Sequence, residues 1–206
     1  MLLDILEIVL EMNNQKIIIF DVDEVLTSFG IELLKLVKPK ITLNDIERNG
    51  NWDVFSLLDG TELKNSHSIL EDPYFWYQLK PKESSLYNVA KTREKGHKVL
   101  FCTSPWTNCK VWDNIRRKWL KENFDALGRE DIIITAAKEF VYGDIFIDDK
   151  PSTVKKWYNR WNKFECKALL YESVFNINDP EALNIYPRIK VAVDNKWAII
   201  ESNNTK

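Results

Sequence analysis

One stretch near the N-terminus constrains the fold more than any other: residues 16–29, KIIIFDVDEVLTSF. Four apolar residues from Ile17 to Phe20 show no polar alternation, which is typical of a strand buried on both faces of a parallel sheet. Asp21 and Asp23 follow at the carboxyl end of that strand, where open α/β sheets bind ligands. The stretch predicts either a nucleophile beside an acid/base, with oxygens for a hard cation, or an ordinary strand with an acidic turn.

Strand and helix patterns alternate through the rest of the chain. After residue 80, strands are predicted at 97–102, 131–134, 144–147 and 167–171, and helices at 82–95, 107–124, 152–163 and 188–200, the last closing the fold. This alternation predicts an α/β fold with a doubly wound, Rossmann-like parallel sheet. Residues 30–79 show only helical patterns and are too long for a simple crossover, so they predict a small helical cap. The core is then residues 15–29 and 80–206.

The first fourteen residues, MLLDILEIVLEMNN, form a separate apolar segment. Asp4, Glu7 and Glu11 share one helical face, which predicts a short amphipathic helix packing on the domain or on a partner, and it also suggests a homodimer. The absence of Lys and Arg argues against a signal or transit peptide. We therefore expect the protein to be cytoplasmic.

Composition excludes several classes of partner. The net charge of −2 leaves no basic footprint, so no nucleic-acid polymer is expected as a partner. No apolar run approaches the roughly 20 residues that a membrane helix needs, so no membrane partner is expected. The three cysteines lack CxxC spacing, which argues against a zinc site or a disulfide framework.

Polar side chains follow three of the predicted strands, and a parallel sheet brings them to one edge: Asp21 and Asp23, Thr103 and Ser104, Asp148 and Asp149. Two carboxylates ~4 Å apart repel by about 4 kcal/mol at an effective dielectric constant of about 20. A cation is therefore expected, and oxygen ligands favour Mg²⁺. The two hydroxyls predict either phosphate contacts or a helix N-cap. With Lys138 to balance charge, the set predicts phosphoryl transfer through an aspartyl-phosphate.

Four ordered motifs carry a family resemblance: FDVDEV, CTSP, a lysine, and DIFIDDKP. They resemble the motifs of the haloacid-dehalogenase superfamily of phosphohydrolases. Within it, the chain looks most like the 5′(3′)-deoxyribonucleotidases. That closeness lies in FCTSP at 101–105, in the spacing from Lys138 to Asp148, in DDKP at 148–151 and in the aromatic segment DPYFWYQLKP.

The resemblance implies a role for each matching residue. Asp21 would be the nucleophile that attacks phosphorus, and Asp23 would protonate the leaving oxygen and then activate water. Lys138 would offset the charge of nucleophile and phosphate, while Thr103 and Ser104 would grip the phosphoryl group. The implied Mg²⁺ ligands are Asp21, Asp23 through its main-chain carbonyl, Asp148 and Asp149.

Several features leave alternatives open. Phe29 matches an aromatic that walls in the base in the resembling family, but core packing explains it equally well. Trp52, Trp76 and Trp106 are further candidates for that wall, although cap or core packing is the simpler interpretation. The basic run 116–118 is interpreted as a solvated helix face.

One position departs from the resembling nucleotidases, which usually have Gly where this chain has Glu24. We expect this acid to narrow the pocket or to change the substrate. The sequence thus predicts a Mg²⁺-dependent phosphomonoesterase acting on a small phosphate ester, a (deoxy)nucleoside monophosphate. The alternatives are a phosphatase for another ester, such as a sugar phosphate, and a non-catalytic nucleotide- or phosphate-binding module.

Overall fold

The computed structural model describes residues 3–4, 15–128, 130–185, 187–192 and 196–201. Within these residues eight strands form one sheet. The strands are β1 (Leu3–Asp4), β2 (Ile17–Phe20), β3 (Lys98–Thr103), β4 (Ile132–Ile134), β5 (Ile145–Asp148), β6 (Lys167–Tyr171), β7 (Arg188–Val191) and β8 (Trp197–Ile200).

The helices of the described residues are α1 (Phe29–Val37), α2 (Leu43–Asn49), α3 (Gly60–Glu71), α4 (Pro73–Gln78), α5 (Glu83–Glu94), α6 (Trp112–Phe124) and α7 (Pro151–Trp161). Short 3-10 helices cover Val54–Leu57, Lys138–Phe140 and Asn162–Phe164. α-Helices connect β2 to β3, β3 to β4 and β5 to β6, which is the pattern of a doubly wound sheet.

The spatial order of the sheet is β1-β8-β7-β6-β5-β2-β3-β4. All neighbouring pairs from β7 to β4 are parallel, and only β8 and β1 pair antiparallel at one edge. The predicted α/β fold with a parallel, doubly wound sheet is confirmed, with the addition of this antiparallel edge. Strand β2 lies between β5 and β3 in the interior of the sheet. The residues that follow its carboxyl end therefore lie beside those that follow β3 and β5.

Strand β2 is buried on both faces, as its unbroken apolar run predicts. Ile18 and Phe20 belong to one hydrophobic cluster, which includes side chains of α5 and α6. Ile19 belongs to the cluster on the other face, where Phe146 and Trp157 of α7 pack. This two-sided core fixes the position of the residues that follow β2.

Between β2 and β3 the chain forms helices α1 to α5. Capping boxes begin two of them: Thr42 with Asp45 at α2, and Asp59 with Glu62 at α3. Helix α2 ends at Gly50, whose φ of 55° favours glycine and whose α-carbon approaches the backbone of residue 178 too closely for a side chain. Helix α4 packs against α6 of the core.

The predicted closing helix at 188–200 is wrong. Strands β7 and β8 form an antiparallel hairpin there, in which the N–H of Ala192 donates to the carbonyl of Lys196 at 2.7 Å. Ile189, Trp197 and Ile199 are buried. In β8 the buried residues Trp197 and Ile199 alternate with more exposed ones, which is the period of a strand and not of a helix.

The predicted helix over residues 1–14 lies mostly outside the described residues. Leu3 and Asp4, the two of its residues that are described, form β1 and pair with β8 instead of lying in a helix. In the described part of the chain, no helix has the length and apolarity that crossing a membrane requires.

Candidate active site

Asp21 lies directly after β2, and its backbone N–H donates to the carbonyl of Ile147 on β5 at 2.8 Å. One carboxylate oxygen, Oδ1, accepts a hydrogen bond from the N–H of Val22 at 2.7 Å. The same oxygen lies 2.7 Å from Lys138 Nζ, and the Asp21 side chain is only 8% exposed. The carboxylate is therefore held on two sides at the carboxyl edge of the sheet.

Lys138 bridges two carboxylates from neighbouring strands. Its Nζ lies 2.7 Å from Asp21 Oδ1 and 2.8 Å from Asp148 Oδ2, in a side chain that is 6% exposed. Burial alone would lower the pKa of Lys138, but Asp148 and Asp21 raise it above its ordinary value. The ammonium group is therefore a permanent positive charge between the two carboxylates.

Asp21, Asp148 and Asp149 form a buried carboxylate cluster, with one oxygen from each lying within 4.8 Å of the others. Burial raises the pKa of Asp21 to about 7, against the opposing effect of Lys138. Burial and the neighbouring Asp148 raise the pKa of Asp149 well above its ordinary value. Carboxylates that resist ionisation together, and that offer only oxygen, fit a hard divalent cation such as Mg²⁺.

Further contacts orient the two aspartates after β5. Asp148 Oδ1 accepts from the N–H of Lys150 at 2.8 Å. Asp149 Oδ2 accepts from Trp52 Nε1 at 2.6 Å, and its carbonyl accepts from Asn176 Nδ2 at 2.7 Å. Sequence reasoning considered Trp52 as a wall residue or as part of the cap or core packing, and it missed Asn176. No local signal pointed to either contact, since Trp52 and Asp149 are 97 residues apart.

Asp23 does not join the carboxylate cluster. Its half-buried side chain pairs with Arg116, whose Nη2 lies 2.7 Å from Asp23 Oδ1 and 3.0 Å from Oδ2. Contact of its main-chain carbonyl with Mg²⁺ stays a prediction. Arg116 itself was predicted to be solvated, which is wrong: it is 1% exposed. The spacing of Trp112, Arg116 and Trp119 on one helical face is the signal that could have indicated its burial.

Thr103 ends β3, the strand beside β2. Its Oγ1 is buried and has no hydrogen-bond partner among the described residues. Ser104 follows and is exposed. The N-cap alternative does not hold for this pair, because α6 begins only at Trp112. An unpaired buried hydroxyl needs a partner, and a phosphoryl oxygen at this sheet edge fits that need.

Phe29 both packs in the core and lines the site. Its ring stacks on Trp76 at a centroid distance of 5.4 Å and meets Phe75 edge-on at 5.9 Å. It also lines a cavity of about 60 Å³ together with Trp52, Phe55 and other side chains, including that of Asp149. Trp106 stacks loosely on Phe55 at 6.1 Å, which places it in the same aromatic group.

Glu24 occupies the position where the resembling nucleotidases have glycine. Its φ is 60°, a left-handed conformation that glycine adopts without strain. The buried carboxylate accepts a hydrogen bond from the N–H of Gly30 at the start of α1, and the side chain lines the small cavity. Burial raises the pKa of Glu24 to about 7, against the opposing effect of Lys82.

Comparison with a solved structure agrees with this fold. A protein from Bacteroides fragilis, described as a haloacid dehalogenase-like hydrolase, superimposes with a TM-score of 0.51 at 13% identity. The superposition covers 85% of this chain and 96% of that one. At this identity the likeness concerns the fold alone.

Sequence comparison then identifies the family. The family model described as "5′ nucleotidase, deoxy (Pyrimidine), cytosolic type C protein" matches residues 15–180, and the chain belongs to that family. The mitochondrial 5′(3′)-deoxyribonucleotidases of Mus musculus and Homo sapiens are 26% and 27% identical over 143 residues. The matches cover 65% of this chain but only 64% and 62% of those proteins, less than two thirds of their length.

Proposed function

We propose that this chain is a Mg²⁺-dependent phosphomonoesterase that converts (deoxy)nucleoside monophosphates to nucleosides and phosphate. The observation that carries the proposal is the buried cluster of Asp21, Asp148 and Asp149 with Lys138 between two of its members. Membership in a nucleotidase family and the names of the two mammalian relatives support the substrate class.

The proposed reaction has two displacements, with Asp21 as nucleophile and Asp23 as acid and base. An oxygen of Asp21 bonds to phosphorus while the phosphorus–ester bond breaks, and a proton of Asp23 passes to the leaving oxygen. Water then attacks the phosphorus of the aspartyl-phosphate, its proton passes to Asp23, and the Asp21 carboxylate is released with phosphate. Both steps are balanced, because every atom and proton that moves comes from the substrate, from water, or from Asp21 and Asp23.

Thr103 and Ser104 would hold the phosphoryl oxygens. Lys138 would balance the negative charge of Asp21 as these oxygens approach it. Mg²⁺ would be held by the side chains of Asp21, Asp148 and Asp149 and by the main-chain carbonyl of Asp23. When bound, the cation supplies positive charge that offsets the negative charge of the transferring group. The unpaired Thr103 hydroxyl supports this assignment of the phosphate position.

The leaving nucleoside would lie beside Phe29, where aromatic rings line the cavity. That cavity measures about 60 Å³, whereas ligand pockets commonly measure roughly 300–1,000 Å³. The proposal therefore requires the cap, residues 30–79, to move outward when a nucleotide enters. The division into cap and core, the cytoplasmic location and the homodimer remain predictions.

The test is phosphate release from a panel of deoxy- and ribonucleoside monophosphates and sugar phosphates. Each ester is measured with Mg²⁺, with EDTA and with Asp21→Asn. We expect Mg²⁺-dependent release from nucleotides, lost in the variant. Release from sugar phosphates alone would overturn the substrate class. A folded protein that binds nucleotide and releases no phosphate would be a binding module instead.

A further inference from the structure

Arg116 is a buried charge with a single carboxylate partner among the residues described. It lies on α6 with 1% exposure, and its Nη2 donates to both oxygens of Asp23, at 2.7 and 3.0 Å. The Asp23 side chain is 27% exposed. Burying a guanidinium costs several kcal/mol, roughly, unless its partners are well placed.

Three indole rings surround this guanidinium. The distances from Arg116 Cζ to the ring centroids are 5.2 Å for Trp76, 5.3 Å for Trp112 and 5.6 Å for Trp119. Its Nε and Nη1 have no hydrogen-bond partner within the described part of the chain. The negative faces of the rings take the place of those partners. The cage therefore fixes the guanidinium in position and leaves Nη2 directed at Asp23.

Stability alone does not explain this arrangement. A buried ion pair is often no more stabilising than apolar side chains of the same volume, and a methionine would fill a tryptophan-lined space without the cost of desolvation. What the arginine supplies is a fixed donor for one carboxylate. That carboxylate is the one to which we assign proton transfer.

We propose that Arg116 is the positioning residue for Asp23, an inference that rests on the proposed function. It acts through Asp23 and does not touch the phosphate ester. By holding both carboxylate oxygens it orients Asp23 toward the leaving oxygen. As the proton passes to that oxygen and the phosphorus–ester bond breaks, Asp23 becomes an anion beside the guanidinium, which stabilises it.

The test uses the dependence of the reaction on the leaving group. A nucleoside 5′-alkoxide leaves poorly and needs a proton, whereas para-nitrophenolate leaves without one. General acid catalysis contributes roughly 10²–10⁴-fold. We expect Arg116→Met to lower kcat/KM for a nucleoside 5′-monophosphate by about 100-fold and for para-nitrophenyl phosphate by less than about 5-fold. Arg116→Lys retains the charge without the planar guanidinium that the three indole rings hold, and it should fall between wild type and Arg116→Met.

Two controls separate the possible failures. Arg117→Met removes a neighbouring arginine that pairs with Asp113 near the surface. It should leave kcat/KM unchanged for both substrates. Asp23→Asn should show the same selective loss as Arg116→Met. If Asp23→Asn is selective but both Arg116 variants slow the two substrates equally, the positioning role is overturned and the proposed function stands.

If Asp23→Asn shows no selectivity, the proposed role of Asp23 fails instead, and the positioning role of Arg116 fails with it. Thermal melting establishes which variants are folded. Should Arg116→Met not fold, Arg116→Lys decides the matter, because a selective loss of several-fold supports positioning and an equal loss for both substrates contradicts it.

Discussion

At the scale of single residues, burial sets the charge of the site before any ligand arrives. Glu24 and Asp21 both have pKa values raised to about 7 by burial, and each has a nearby lysine that opposes the shift. Lys138 stays charged between its two carboxylates. The site therefore holds carboxylic acids that ionise near neutral pH. The charge of a bound cation or phosphate would shift the pKa values of these acids.

Glu24 should make the folded protein less stable at higher pH. Its pKa rises on folding from 4.5 to about 7, so the folded state retains a proton that the unfolded state has lost. Stability from this group is full below pH 4.5 and declines as the pH rises through 7. We expect Glu24→Gln to raise the free energy of unfolding by about 3 kcal/mol at pH 8, and by under about 1 kcal/mol at pH 5.

Urea unfolding at the two pH values measures this effect. The amide of the glutamine still offers an oxygen to the N–H of Gly30, so the contact at the start of α1 is retained. An equal gain at pH 5 and pH 8 would contradict the linkage, because only a titrating group gives a difference that depends on pH.

Lys138 compensates two buried carboxylates. Removing one partner of a buried ion pair typically costs about 3–5 kcal/mol, so Lys138→Met should lose that much stability at pH 8 without Mg²⁺. Mg²⁺ should restore part of the loss, since an ion held by the proposed ligands Asp21, Asp148 and Asp149 would bind the folded state alone. Chemical denaturation with and without Mg²⁺ provides the measurement.

Lys35→Met is the matched control, since it removes an exposed ion pair with Glu32 and should change stability by less than about 0.5 kcal/mol. Two results would show that Asp21 and Asp148 need no compensating charge. One is a Lys138→Met variant that loses no more free energy of unfolding than this control, and the other is a Lys138→Met variant that Mg²⁺ does not stabilise.

At the scale of elements, the helical segment after β2 contacts the loop after β6 beside the site. The N–H of Trp52 donates to Asp179 Oδ2 at 3.0 Å, and Asn178 Nδ2 donates to the carbonyl of Glu47 at 2.9 Å. The indole of Trp52 donates to Asp149. The position of residues 47–52 is thereby coupled to a candidate metal ligand.

Trp52→Phe keeps an aromatic ring but removes the donor to Asp149. Partners of metal ligands typically contribute 10–100-fold to metal affinity, so we expect Mg²⁺ to bind about tenfold more weakly to this variant. Isothermal titration calorimetry measures the affinity directly. Trp106→Phe is the control, because the Trp106 Nε1 has no partner among the described residues, and it should bind Mg²⁺ as wild type does. Unchanged affinity in Trp52→Phe would show that the indole does not orient Asp149.

At the scale of the whole molecule, sequence reasoning succeeded where the signal was local. The apolar run of β2 and the polar residues that end the parallel strands placed Asp21, Asp148 and Thr103 at one edge, because parallel strands share direction. It failed where position depends on distant partners. Trp112 and Trp119 on the same helical face are a local signal for the burial of Arg116, but Trp76, forty residues earlier, completes the group of rings around it.

The C-terminal edge shows a second kind of failure. Residues 188–200 were themselves predicted to form a closing helix, whereas β7 and β8 form a hairpin there, and of these two short strands only β8 shows the strand period in its burial. Its contribution to the core is testable through Trp197, which is 0% exposed and packs on the rings of Phe20 and Tyr171. Trp197→Ala should lower the free energy of unfolding by about 3–5 kcal/mol, measured in urea. Leu127→Ala, at a position that is 69% exposed, should change it by less than about 0.5 kcal/mol, and equal effects would contradict the core position of the hairpin.

The central claim is that Asp21 becomes phosphorylated during turnover. The most direct measurement is acid quenching within the first turnover on a nucleoside monophosphate with Mg²⁺, followed by peptide mass spectrometry. We predict one added phosphoryl group, sensitive to hydroxylamine, on the peptide that contains Asp21, and none with Asp21→Asn. Turnover without any phosphorylated peptide, or with the group on another residue, would contradict the account.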